Sequence, residues 1–304
     1  MLISDVINQT LSYAKSRGFA QETLKGYSTC LHLTLKYLTK RGIKEIEDVT
    51  YQILEDYINY LKERSRLDFK PGTVSISTIN KHIKAIRGCF KYLHQTKRIK
   101  ENPSENLTYF RRVQKVINSF SVEQLHVLLS VIPINTFIGQ RERLLILTLV
   151  DCGLRISEAL ALQVNNIFFD QHVIKVYGKG SKERLVPFGR NAEKAMRQWI
   201  MAHSLTNEDR IFFSRRRKTI TGSGVRMHLR RYGRKAGIKN VEVRPHIFRH
   251  TFAVMFLRSG GNLFILQRIM GHVSLDMTQR YCNLLIEDLQ KEHRKHSPGD
   301  KLKW

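Results

Sequence analysis

Apolar positions recur at helical spacing through the first hundred residues. Leu2, Ile3, Val6, Ile7 and Leu11 share a face and stop at Arg17-Gly18, and Leu24, Tyr27, Leu31, Leu35 and Leu38 mark a second helix over 23–38, closed by Arg41-Gly42. A third helix is expected over 53–61. The turn Lys70-Pro71-Gly72 leads into a fourth over 77–94, with Ile79, Ile83, Ile86, Phe90 and Leu93 on one face and Lys81, Lys84, Arg87 and Lys91 mainly on the other. Asn102-Pro103 ends this unit, and the polar, basic stretch 103–118 reads as a linker. Ser121-Val122-Glu123-Gln124 is a capping-box sequence that starts a helix over 122–131. A further helix, 141–160, is mostly apolar but carries Gly153 and Arg155; an arginine there is expected to be held for a partner.

Between Val164 and Phe188 the period shortens. Asn166-Ile167-Phe168-Phe169, Val173 to Tyr177 and Arg184 to Phe188 read as short strands, with turns at Asp170-Gln171 and Gly178-Lys179-Gly180-Ser181. The spacing predicts a small antiparallel sheet with Lys179 in its second turn; it does not match a phosphate-binding loop that opens a helix. Helices follow over 193–203 and 225–235. Two more amphipathic runs come next: Phe252, Val254, Met255, Phe256 and Leu257, broken by Ser259-Gly260-Gly261, then Leu263, Ile265, Leu266, Ile269 and Met270, stopped by Gly271. The expected fold is mainly α (α+β), with a helical domain over 1–102, a linker over 103–118, and a mostly helical second domain with a small sheet over 119–304.

Charge narrows the partner. Lys+Arg total 52 against 26 Asp+Glu, a net +26 with pI ≈ 10.2. Up to Ile117 there are 21 basic and 11 acidic residues, and after it 31 and 15, so both domains are cationic. A surplus of this size with ordinary apolar content points to nucleic acid held from two sides. Lys81, Lys84, Arg87 and Lys91, in a stretch without acids from Ser77 to Lys100, and the run Arg215, Arg216, Arg217 and Lys218 are candidate phosphate contacts. Cys30, Cys89, Cys152 and Cys282 lack zinc-ligand spacing and read as reduced thiols. The N-terminal stretch has no signal-peptide pattern, and no apolar run reaches membrane-spanning length, so a soluble cytoplasmic protein without membrane contact is expected.

The densest chemistry lies between Arg244 and Tyr281. His246 and Arg249, three apart, share a helical face; His272 follows the helix-stopping Gly271; Tyr281 follows a short polar segment. With Arg155 and Lys179, these residues supply what phosphodiester cleavage without a metal requires. Arginine forks neutralise the phosphate, a phenol attacks, and a lysine protonates the leaving 5′-oxygen. Each residue alone has an ordinary alternative: a core tyrosine, a structural histidine or a surface arginine. No acidic cluster suggests a two-metal site, and no cofactor is expected.

As a set, Gly153-Leu154-Arg155-Ile156-Ser157-Glu158, Gly178-Lys179-Gly180-Ser181-Lys182-Glu183-Arg184, His246-Ile247-Phe248-Arg249-His250, Met270-Gly271-His272 and Tyr281 resemble the tyrosine recombinases, the lambda-integrase or Xer-like family. The resemblance covers essentially the whole chain. It implies that Arg155, His246, Arg249 and His272 hold a scissile phosphate, that Lys179 is the general acid and that Tyr281 is the nucleophile, with Glu158 and His250 in support. It also implies a 3′-phosphotyrosyl intermediate, strand exchange through a Holliday junction, and independence of ATP and metal. The N-terminal helices would be a SAM-like core-binding domain, forming a C-shaped clamp on double-stranded DNA with the catalytic domain. Partners would be paired recombination sites, a homotetramer on DNA that is monomeric when free, and accessory directionality proteins. Residues 283–296, with Leu284, Leu285 and Leu289, would form an exchange helix docking on a neighbour or in cis. The lack of an additional arm-binding domain fits Xer-type and simple element-borne enzymes alike, whereas the idiosyncratic tail over 292–298 resembles transposon-encoded members more and favours an integrase or transposase of a mobile element. Xer-type dimer resolution, a type IB topoisomerase and a DNA-binding regulator without chemistry are the alternatives.

Overall fold

The computed structural model describes residues 1–63, 74–111, 118–178, 183–271, 293, 297 and 299–301. The chain divides into two compact units, Met1–Lys115 and Val116–Trp304. Among its described residues the first holds four α-helices, α1 (Ile3–Ser16), α2 (Gln21–Lys40), α3 (Tyr51–Glu63) and α4 (Ile76–Gln95). Helix α4 is its axis and packs against the other three. It starts at Ser75, whose Oγ accepts the Thr78 N–H at 3.3 Å, and it buries the expected Ile79, Ile83, Ile86, Phe90 and Leu93. Residues 104–110 return along this helix: Leu107 is buried, and the Asn80 side chain exchanges two hydrogen bonds with the backbone of Phe110.

The second unit begins with α5 (Val122–Ser130), which carries the predicted capping box between Ser121 and Gln124. Helices α6 (Phe137–Cys152) and α7 (Ile156–Ala161) replace the single helix expected over 141–160. Gly153 ends α6 in the left-handed conformation, so Arg155 is not a mid-helix residue but the cap of α7. Strands β1 (Ile167–Phe168), β2 (Val173–Tyr177) and β3 (Glu183–Pro187) form the antiparallel sheet in sequence order, with Ile167 opposite Ile174 and Tyr177 opposite Glu183. The first strand is shorter than its apolar run, because a 3-10 turn takes Phe169–Gln171. Helices α8 (Arg190–Ala202), α9 (Gly222–Lys235), α10 (Pro245–Arg258) and α11 (Leu263–Met270) follow among the described residues.

Helix α10 runs through the core, packed on α6, with Ile247, Phe248, Phe252, Ala253 and Val254 buried. A second buried feature braces α6. Arg141 donates to Glu142 at 2.6 Å and to the Phe213 carbonyl at 3.0 Å, and His228 of α9 meets the same Glu142 oxygen at 3.0 Å. Cys30, Cys89 and Cys152 are free and buried; Cys282 lies outside the described residues. No described helix is long and apolar enough to cross a membrane.

Candidate active site

The close meeting of α6 and α10 creates the site. Gly153 has φ +60°, and a Cβ there would lie 2.3 Å from the Phe252 ring, so the end of α6 can sit against α10 only as glycine. Two residues later the extended backbone of Arg155 opens α7. Its N–H donates to Glu158 Oε2 at 2.8 Å, its Nη1 to Glu158 Oε1 at 2.8 Å, and its Nη2 to the Gly271 carbonyl at 3.1 Å. From α10, Arg249 donates to the Gly153 carbonyl at 2.6 Å and the Met270 carbonyl at 2.7 Å, with Nη1 4.0 Å from Glu158. From β3, Arg184 donates both terminal nitrogens to Glu158, at 2.9 and 2.8 Å, and Nε to the Ile269 carbonyl at 2.8 Å. One carboxylate therefore orders two guanidiniums and stands beside a third.

Charge follows from this packing. Burial pushes the Glu158 carboxyl up, but hydrogen bonds from Arg184 and Arg155 outweigh it and hold the group down at about 2. His246 faces solvent on α10, yet the packing around its ring lowers its pKa, and the charges of Arg249, Arg244, His250 and Arg155 lower it further. Both effects favour the uncharged imidazole, the form able to accept a proton. Side-chain exposure separates the arginines: Arg155 is 36% exposed and Arg249 4%. A cluster of arginines beside an uncharged imidazole suits a phosphodiester.

Comparisons with known proteins agree with this chemistry. Residues 118–287 match the phage integrase family, and residues 3–118 match the phage integrase SAM-like domain. This chain belongs to the tyrosine recombinases. It is 31% identical over 287 residues to the tyrosine recombinase XerD of Vibrio vulnificus, covering 93% of this chain and 91% of the relative. It is 28% identical over 290 residues to XerC of Bacillus pumilus, covering 93% and 92%. The integrase of transposon Tn1549 in complex with transposon right-end DNA shares the fold, with TM-score 0.74 and 20% identity over 92% of this chain and 94% of that one. The protein is thus a site-specific DNA recombinase with a SAM-like N-terminal domain and an integrase catalytic domain.

Of the six residues singled out in the sequence, the recombinase brings Arg155, His246 and Arg249 together; Lys179, His272 and Tyr281 lie outside the described residues, as does the 283–292 stretch. Described backbone reaches Tyr177 and Glu183 on either side of Lys179, and Gly271 just before His272. His250 is buried on α10. Among the candidate DNA contacts, Lys81, Lys84, Lys91, Arg215, Arg216 and Lys218 are exposed. Two others also have work inside the protein. Arg87 is half-buried and donates to the Leu107 carbonyl at 2.7 Å. Arg217, with φ +57°, donates to the His203 carbonyl at 2.6 Å and lies over Phe213.

Sequence reasoning missed two things. Arg184 is given a place in a strand and in the recombinase motif but no role, although the alternation of β3 puts it on the inward face with Val186, and an arginine at such a position must have a partner. The exposed face of α9, with Arg226, Arg230, Arg231, Arg234 and Lys235, was also overlooked. Its signal was available: no acid occurs between Arg210 and Glu242.

Proposed function

We propose that this recombinase cleaves and rejoins double-stranded DNA through Tyr281. Arg155 and Arg249, with His246 and His272, hold the scissile phosphate and stabilise the charge that builds on its oxygens. The phenol of Tyr281 gives its proton to the uncharged His246 and its oxygen attacks phosphorus to form a 3′-phosphotyrosyl bond, while the bond to the 5′-oxygen breaks and Lys179 protonates that oxygen. A 5′-hydroxyl of the partner duplex then attacks the phosphotyrosyl bond and releases the tyrosine, so the phosphodiester energy is conserved without ATP. The observation that carries this reading is the convergence of Arg155 and Arg249 around Glu158 beside the neutral His246. Exposed cations on both units, Lys81, Lys84 and Lys91 in one and Arg215, Arg216 and the α9 face in the other, supply the phosphate contacts. Four protomers on two sites carry the exchange in the cytoplasm.

Within that activity we infer a role in integration, excision or transposition of a mobile element. The shared fold with a transposon integrase and the tail after Tyr281 support it. Xer-type dimer resolution is the second reading, favoured by the 31% identity to XerD. A nicked suicide duplex, enriched from a randomised library by covalent trapping, tests the chemistry and then the role. Trapping should proceed in excess EDTA and leave a free 5′-hydroxyl; a requirement for Mg²⁺ in forming the adduct would contradict the mechanism. Copies of the enriched site on plasmids then separate the roles. Insertion of a circle into a target with a different central sequence supports the mobile element, and exchange confined to identical sites supports the Xer reading.

A further inference from the structure

Three consecutive carbonyls end α11, and each accepts from a different arginine: Ile269 from Arg184, Met270 from Arg249 and Gly271 from Arg155. These oxygens lie at the negative end of the helix, where the carbonyls of the last turn have no partner within it. Two of the three arginines are those assigned above to the phosphate. The third differs from them. Nε of Arg184 is committed to Ile269, Nη1 and Nη2 to the two oxygens of Glu158, and its side chain is only 12% exposed. Its fork spans the carboxylate that orients Arg155 and the helix end that precedes His272. Gly271 fits against it so closely that a Cβ there would lie 3.0 Å from Arg184 Cδ.

We propose that Arg184 is a positioning residue of the recombination site: by tying Glu158 to the end of α11 it sets where Arg155 stands and how the scissile phosphate is held. The proposal rests on the reading that Arg155 and Arg249 bind that phosphate. Arg184 itself touches no reacting atom. It acts by removing alternatives. A Glu158 gripped on both oxygens cannot rotate, so the Arg155 guanidinium it holds stays in one plane. Because the same guanidinium binds the Ile269 carbonyl, β3, α7 and α11 keep one register at the site. Lysine cannot replace it, since a single ammonium on a flexible stem cannot meet two carboxylate oxygens and a carbonyl in fixed directions.

The test compares wild type, Arg155→Ala, Arg184→Lys and Arg184→Ala on the enriched nicked duplex. Affinity for a half-site, thermal midpoint, the amplitude of covalent trapping and its single-turnover rate constant are measured for each. The expected result for Arg184→Lys is half-site affinity within about threefold and a rate constant about 10–100-fold lower, the scale found when a group that orients a metal ligand is lost. Methylguanidinium should restore part of the rate to Arg184→Ala but none to Arg155→Ala. Should Arg184→Ala fail to fold, Arg184→Lys decides alone. A rate constant equal to wild type in Arg184→Lys, with only the trapped amplitude or thermal midpoint reduced, makes Arg184 a structural brace and overturns the proposal. Failure of the wild type to trap any duplex would instead sink the reading beneath it. Trapping by wild type but not Arg155→Ala leaves that reading intact whatever Arg184 does.

Discussion

Glu158 and Glu142 are both buried carboxylates in the catalytic unit, and each is met by an arginine close in sequence. Their surroundings differ. Glu158 receives four N–H donors, two from Arg155 and two from Arg184, spread over both oxygens. Glu142 receives Arg141 and His228 on one oxygen, while its other oxygen and Arg141 Nε find no hydrogen-bond partner among the described residues. The first cluster reaches solvent through Arg155; the second is closed, with Arg141 and Glu142 5% and 0% exposed. A buried carboxylate tied loosely holds α6, α9 and the backbone at Phe213 together. One saturated from both sides fixes the direction of the cations around it, which a phosphate site needs and a brace does not.

The strongest contrast comes from removing the arginine on each side. Arg155→Ala should slow single-turnover trapping by about 10²–10³-fold, the scale for losing one stabiliser of a transition-state oxyanion, with half-site affinity largely kept. Arg141→Ala should lower stability by about 3–5 kcal/mol, because it strands the Glu142 charge in the core, yet leave the rate constant of the folded fraction unchanged. Equal effects of the two variants on rate would erase the distinction.

The pH dependence sharpens it. With its pKa held at about 2, Glu158 contributes stability that is complete above the ordinary carboxylate value of 4.5 and is lost as pH falls toward 2, so it leaves no mark near neutrality. His246 is depressed below 6.5, so its neutral form, and the stability tied to it, is complete above 6.5 and lost as pH falls through its lower folded value. Trapping at subsaturating DNA should therefore fall off on the acid side below 6.5. Arg244→Ala removes one of the charges that depress His246 and should move that limb upward. A limb that stayed in place or moved down would assign it to another group.

The smallest effects concern the first unit. Lys84 is exposed on α4, so Lys84→Ala should leave the thermal midpoint unchanged and reduce the slope of log affinity against log salt by about one. Arg87 holds the Leu107 carbonyl, so Arg87→Ala should cost about 1–2 kcal/mol of stability as well. Identical salt slopes with identical stabilities would show that the two do the same work.

Much of this was legible in the chain. The α4 stripe and the Ser121 capping box follow local rules, and both stand where the pattern put them. Arg155 and His246 announced themselves by residue type in unusual settings. What the pattern could not show is distance. That Gly153 must be glycine because Phe252 lies 2.3 Å from its missing Cβ depends on a contact spanning about a hundred residues. Continuous hydrophobicity over 141–160 likewise hid a helix break whose only local sign was that glycine. Arg184 was hidden for a similar reason: its partners Glu158 and Ile269 are 26 and 85 residues away.

The central claim is that the phosphate held by this arginine cluster is attacked by Tyr281. The most direct measurement is peptide mapping of the covalent adduct formed on the nicked suicide duplex. The account predicts that the nucleotide is carried by the peptide containing Tyr281 and that Tyr281→Phe, which keeps the ring but removes the hydroxyl, forms no adduct while binding the duplex as before. A nucleotide mapped to any of the other ten tyrosines, or an adduct of undiminished yield from Tyr281→Phe, would contradict it.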